Sequence, residues 1–239
     1  MNKTILLIAL CGATIFPGCH KSSHDASSTT KCKITGIHVA GHGWSSDYII
    51  AYDNAGRPTA LQFSQNGGGY TANFAYGDHL IVVTTTGTSN TIDSVFLNAN
   101  GDIDHLIVRN GSSNTITDVF TYDSKHQLSK SVEQGGADVT TLYQYSNGDM
   151  VEADLPGEKF IYSYYTDKPA AVGDPMVLTQ WLQFGALFQR SAHLTKTQSV
   201  GSNVETFAYT FDAEGKIASV TEADGSVDST TFTYTYECH

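Results

Sequence analysis

From residue 32 onward, apolar and polar side chains alternate in short runs, and each run stops at Gly, Asn or Asp. Phe232, Tyr234, Tyr236 and Cys238 share one side of the last run, opposite Thr231, Thr233 and Thr235. Phe207, Tyr209 and Phe211 form a second such row, and Phe160, Tyr162 and Tyr164 a third. A period of two with one oily and one wet side is the mark of strands that bury a single face. Rows of this kind serve a core more often than a ligand site, because aromatic rings contribute large buried areas and cross-strand pairs.

The runs repeat. Tyr52-Asp53-Asn54-Ala55-Gly56-Arg57 returns loosely as Leu97-Asn98-Ala99-Asn100-Gly101-Asp102 and as Phe211-Asp212-Ala213-Glu214-Gly215-Lys216, with weaker copies starting at Tyr76, Tyr122, Tyr145 and Tyr164. Successive anchors lie 19–25 residues apart, except for a gap of 47 before Phe211, which equals two periods or one period plus an insertion. Asx and Gly tolerate positive φ, so each anchor closes a tight turn. A second set of glycines (67–69, 87, 111, 135–136, 157, 201, 225) falls between the anchors, giving two turns and hence one hairpin per period. The expectation is an all-β antiparallel meander of 14–16 strands, most of them five to eight residues long, forming a curved sheet or a soluble barrel.

One stretch, 174–192, breaks the pattern. Met176, Val177, Leu178, Trp181, Leu182, Phe184, Leu187 and Phe188 fit helical spacing, Pro175 suits a first turn, and Gly185 is placed to end the helix early. A helical insertion here would plug the β structure or wall a pocket. Trp181 and Phe188, with Tyr162, Tyr209 and Tyr234, are therefore the candidates for lining a core or a ligand.

The anchor motif resembles the YD-type hairpin repeats of bacterial surface proteins. Over about Ile34 to Tyr236 the arrangement is similar to a family of uncharacterised Bacteroidetes lipoproteins with a porin-like β fold. That resemblance implies a fold and an envelope location; it brings no catalytic residues. It does not imply a pore, since strands that cross a bilayer turn apolar side chains to lipid and the face opposite the aromatics here is Thr, Ser, Asn and Asp.

The N-terminus adds an export signal: Lys3, an apolar stretch Ile5–Phe16 too short to span a bilayer, then Pro17-Gly18-Cys19. Gly18-Cys19 resembles the lipobox of bacterial lipoproteins, with Phe16 and Pro17 departing from its usual residues, and implies lipidation at Cys19. An ordinary secretory signal with Cys19 as a spare thiol is the other reading. Residues 1–18 are thus a signal peptide, 19–31 a lipid anchor and Ser/Thr-rich flexible tether, and 32–239 one domain. With Cys11 lost and Cys19 lipidated, Cys32 and Cys238 are left either to form a disulfide across the whole domain or to stand as two unpaired strand cysteines. A bridge would staple the first strand to the last and remove both sheet edges.

Net charge is −11, which argues against nucleic acid and against electrostatic adsorption to anionic lipid, so membrane attachment is expected through the lipid alone. His38 and His42 share a strand face, but no second pair completes a zinc site. The Asx-Gly turns lack the acidic terminus of a calcium loop. No nucleophile elbow, phosphate loop or dinucleotide fingerprint occurs. No metal or cofactor is expected. Carboxylate pairs such as Asp102 and Asp104 would serve a hydrolase only if a cleft made them converge. The chain is read as a non-catalytic envelope lipoprotein that binds a glycan, a peptide or an envelope protein. The alternatives are a carrier of an apolar ligand and, third, a carboxylate hydrolase.

Overall fold

A computed structural model describes residues 32–238 apart from 89, 111–113, 136–137, 188–190 and 226–227. Cys19 and Phe188 lie outside the described residues. The chain forms strands β1 (Cys32–Gly41), β2 (Trp44–Tyr52), β3 (Pro58–Gln65), β4 (Gly68–Tyr76), β5 (Leu80–Gly87), β6 (Thr91–Leu97), β7 (Ile103–Asn110) and β8 (Asn114–Tyr122). It continues with β9 (Leu128–Gln134), β10 (Val139–Ser146), β11 (Asp149–Leu155) and β12 (Glu158–Pro169), then helix α1 (Pro175–Phe184). Strands β13 (His193–Val200), β14 (Asn203–Phe211), β15 (Ile217–Ala223) and β16 (Ser229–Cys238) complete it. Each strand pairs antiparallel with its neighbours in sequence, and β1 pairs with β16 to close a sixteen-stranded barrel. Cys32 and Cys238 stand opposite one another in that last ladder and are joined by a disulfide, with their Cα atoms 4.0 Å apart.

The strands are longer than the sequence pattern indicated, running from 7 to 12 residues. Thr- and Ser-rich segments beside the turns, which carry no alternation of their own, are drawn into the ladders by their partners. The 47-residue gap resolves into one hairpin period plus the insertion carrying α1, since β13 and β14 are the only strands among the described residues between the last two anchors.

The turns alternate between two ends. At one end four loops repeat a single hydrogen-bonding scheme. Asp53 Oδ1 accepts the backbone N–H groups of Ala55 and Arg57; Asn98, Asp123 and Asp212 do the same for the residues two and four further on. Such Asx side chains satisfy the turn's own donors, which is why the motif recurs. The fourth position takes positive φ, supplied by Gly56 (φ 83°) and its equivalents but by His126 (φ 60°) in the Tyr122 copy. Tyrosines close this end from inside: Tyr52, Tyr122, Tyr164 and Tyr236 donate to backbone carbonyls of Ile34, Ile103, Met150 and Ile217 on the strand before, and Tyr52 and Tyr122 directly precede two of the four loops, Leu97 and Phe211 the other two. Because α1 and both ends of the barrel chain lie here, this is the helix end. The opposite, hairpin end consists of short β–β connections only.

Inward positions are dry. Ile34, Ile81, Val83, Val95, Leu128, Ile217 and Val220 come from strands all round the barrel and are at most 2% exposed. A water-filled lumen would leave such side chains wet, so the interior is a packed core. Outward positions carry exposed Asp47, Gln62, Asn73, Arg109, Lys130 and Gln144. Aliphatics such as Ile49, Ile92, Leu142, Ile161 and Val204 are scattered singly among them. Among the described residues the wall shows no continuous apolar band of the kind a lipid-facing barrel carries.

Candidate functional site

Helix α1 fills the helix end from within. Asp174 caps it: its side chain accepts the N–H of Met176 at 3.0 Å, Pro175 follows in the first turn, and Gly185 ends the helix in the left-handed conformation. The other carboxylate oxygen of Asp174 accepts the backbone N–H of Thr195 on β13 at 2.8 Å. One buried side chain thus caps the helix and pins it to the wall. Burial pushes the Asp174 pKa upward, against the pull of those two N–H donors. Opposite, Gly185 packs on Phe74 and Tyr76 of β4, and Trp181 lies 5.6 Å from Tyr52 of β2, centroid to centroid. Tyr234 of β16 donates to Gly173 O at 2.7 Å. Contacts from β2, β4, β13 and β16 surround the helix, so it is a plug.

The candidate lining residues separate by position. Tyr162 and Tyr234 are buried in the core, at 4% and 7% exposure. Tyr209 is half-buried, edge-on to Tyr165 at 5.9 Å, and burial followed by the charge of Asp174 pushes its phenol far above the usual range. Trp181 is also half-buried. The four described residues line the plugged interior. His38 Nδ1 is 2.7 Å from Asp47 and His42 Nδ1 is 3.6 Å from Asp228, so the two histidines have separate partners. Among the described residues no three His, Cys, Asp or Glu side chains are grouped to hold a metal ion.

Sequence reasoning missed a set of inward carboxylates toward the hairpin end. Antiparallel partners share a face, so Asp93 opposite Val83, Asp118 opposite Leu106 and Glu222 opposite Phe207 all point inward, each set against a buried side chain. Glu133 faces Asp118, and Glu205 lies two residues from Phe207 on the same side of β14. Burial, then the charges of Glu205 and Asp224, push Glu222 up to about 7. Burial raises Asp93 to about 6 against a hydrogen bond from Thr91, and burial with the Glu133 charge raises Asp118 to about 6. Glu205 is raised as well, by burial and then by Asp224.

These groups hold a proton more tightly in the folded chain than in the unfolded one. Their contribution is therefore complete below the ordinary carboxylate range and is lost as pH rises through the folded values. Stability is expected to increase as pH falls from about 8 to about 5, the reverse of common acid denaturation. Glu222, displaced from 4.5 to about 7, is worth about 3 kcal/mol; Asp93 and Asp118 add less, since water screens them more. Urea melts across this range check the slope. Glu222→Gln is expected to flatten the profile by stabilising the protein at pH 8; a variant that keeps the wild-type slope would contradict the assignment.

The outer wall carries a depression of about 470 Å³ over β2–β5. Its rim is one continuous outward row, Ile49, Gln62, Thr71 and Thr86, each paired with the next. The floor runs along Gly68, Gly69 and Gly87. A Cβ on Gly69 would collide with the carbonyl of Phe63, and one on Gly87 with that of Gly69. Glycine is therefore required for the strands to approach there, and the missing side chains open the hollow. Behind it Tyr48, Phe63 and Tyr70 pack in a row at centroid spacings of 4.9 Å, Phe63 stacked on Tyr70 and tilted against Tyr48. All ten lining residues are uncharged, and none of the inward carboxylates is among them.

The architecture is that of a closed, plugged, sixteen-stranded porin-like barrel. Two solved structures show the same fold. A porin-like protein from Bacteroides uniformis ATCC 8492 superposes with a TM-score of 0.66 at 19% identity, covering 85% of this chain and 98% of its own. Another, from Bacteroides vulgatus ATCC 8482, gives 0.59 at 12% identity with the same coverage. No protein-family model matches the chain, and no curated protein is significantly similar to it in sequence.

Proposed function

We propose that this chain is a non-catalytic lipoprotein of a bacterial envelope, whose rigid barrel presents its outer wall to a glycan, a peptide or a neighbouring envelope protein. The depression over β2–β5 carries the reading. Its amide and hydroxyl groups on Gln62, Ser64, Thr71 and Thr86, the aliphatic Ile49 and the glycine floor offer hydrogen bonds and apolar contact, with no nucleophile and no acid–base pair. The export signal and Cys19 support the envelope and the lipid. A packed, plugged interior speaks against a carrier of an apolar ligand inside the barrel.

Full-length protein extracted from membranes would be probed on arrays of neutral oligosaccharides and of peptides. Thr71→Arg places a charge in the hollow. It is expected to weaken any captured ligand about tenfold or more, the equivalent of about 1.4 kcal/mol, with an unchanged melting temperature. Binding that survives this substitution would remove the depression from the account. Cys19→Ser is expected to release the protein into the soluble fraction; retention in the membrane would overturn the anchor.

A further inference from the structure

The two ends of the barrel differ in chemistry, and the chain enters at only one of them. Cys32 begins β1 at the helix end, and its bond to Cys238 fixes that entry point against the wall. Cys19 precedes Cys32 by thirteen residues. A flexible stretch of that length has a root-mean-square reach of about 20 Å. A nine-residue strand such as β2 at ordinary barrel tilt rises about 23 Å. Turning the hairpin end to an anchoring bilayer would consume the tether's whole reach, whereas the helix end lies at its root.

The cations have the same polarity. Toward the helix end stand Lys33, Arg57, Lys168, Lys196 and Lys216, each held over an aromatic ring of that end: Tyr52, Tyr76, Tyr165, Tyr165 and Tyr236, at 4.1–5.8 Å from the centroids. Acids outnumber them there too, but several are paired with these cations, as Asp53 is with Arg57 and Asp212 with Lys216. The hairpin half exposes Asp47, Asp138, Glu158, Asp224 and Asp228, and its only Lys or Arg among the described residues are Arg109 and Lys159. Cationic side chains lying along tyrosine rings suit a headgroup layer, where both are at home. The hairpin end, with fewer cations to offset its acids, is repelled the more strongly by an anionic layer.

We infer that the helix end is the face this barrel turns to the phospholipid bilayer that holds it, with the acidic hairpin end pointing away. The inference rests on the proposed anchor at Cys19. The bound surface is a phospholipid headgroup layer, reached by the tether and not by insertion of the wall.

The two tryptophans are built-in reporters, Trp181 in the plug and Trp44 beside the first turn of the hairpin end. The full-length lipidated protein is reconstituted into phosphatidylethanolamine–phosphatidylglycerol vesicles containing a dansyl-headgroup lipid, as Trp44→Phe and as Trp181→Phe. Energy transfer to the headgroups is expected to be several-fold stronger from Trp181 than from Trp44. Equal transfer, or stronger transfer from Trp44, in protein that floats with the vesicles overturns the orientation and leaves the anchor standing. Protein that does not float overturns the anchor and the orientation with it. Circular dichroism melts of both variants confirm that each reporter sits in a folded barrel.

Discussion

Reducing the bridge between Cys32 and Cys238 is expected to lower the unfolding free energy by about 5 kcal/mol. The residues are 206 positions apart, so the bridge removes from the unfolded ensemble nearly all conformations in which the domain's ends are separated. A loop of that length lies at the upper end of what chain entropy supplies. The effect has a structural side as well. Strands β1 and β16 form the one ladder in the barrel whose partners are remote in sequence, and every other ladder joins neighbours along the chain. Closing that seam carries the largest loop entropy, and the bridge crosses it at its outer rung. Urea melts with and without reductant, and of Cys32→Ser/Cys238→Ser, measure the loss. A change below about 1 kcal/mol would show that the seam holds without the staple and that the entropic account of the bridge fails here.

Asp174→Ala is expected to cost about 3–4 kcal/mol, combining a lost helix cap with two N–H groups left without an acceptor in a dry site. Asp174 is 1% exposed, so water cannot replace it. Its partners belong to different elements, the Met176 N–H to α1 and the Thr195 N–H to β13. Removing it therefore loosens the plug and its mooring together. Asp174→Asn retains one acceptor oxygen and is expected to lose less. Trp181, packed near Tyr52, reports the outcome: its emission should move to the red before global unfolding in the alanine variant. An alanine variant as stable as the wild type, with unmoved emission, would show that apolar packing alone seats the helix.

Much of this fold was legible because its signals are local. Asx-Gly turns fix where hairpins reverse, and two turns per 19–25 residues fix their number, so the sixteen strands fall within the range read from the pattern. The helix was legible for the same reason: Pro175 and Gly185 mark its ends, and it stops at Phe184 although apolar residues continue to Leu187. Closure of the barrel was suggested by the placement of two cysteines, which also allowed an open sheet with both left unpaired. Less legible was whatever depends on register. Asp93, Asp118 and Glu222 sit among Thr and Ser in segments where either face could be the wet one, and only their partners Val83, Leu106 and Phe207 decide it. Asp149 shows the same limit: it accepts both the N–H and the ring nitrogen of His193, 44 residues away, and no pattern around either residue announces the pair. The depression was hidden differently. Gly68, Gly69 and Gly87 read as turn residues, whereas Gly69 and Gly87 serve as places where backbones approach. Asp174 did carry a signal, since an Asx followed directly by proline ahead of an apolar helical run is the signature of a cap.

Because β1 and β16 complete the ring, every strand in this barrel has both of its neighbours. A peptide cannot bind here by laying itself alongside as an extra strand, the commonest way in which open sheets read extended sequences through main-chain hydrogen bonds. Recognition must pass through side chains on the wall or through the loops at the rims. Such contacts read chemical groups and shape, and they change freely with surface substitution while the scaffold beneath stays the same.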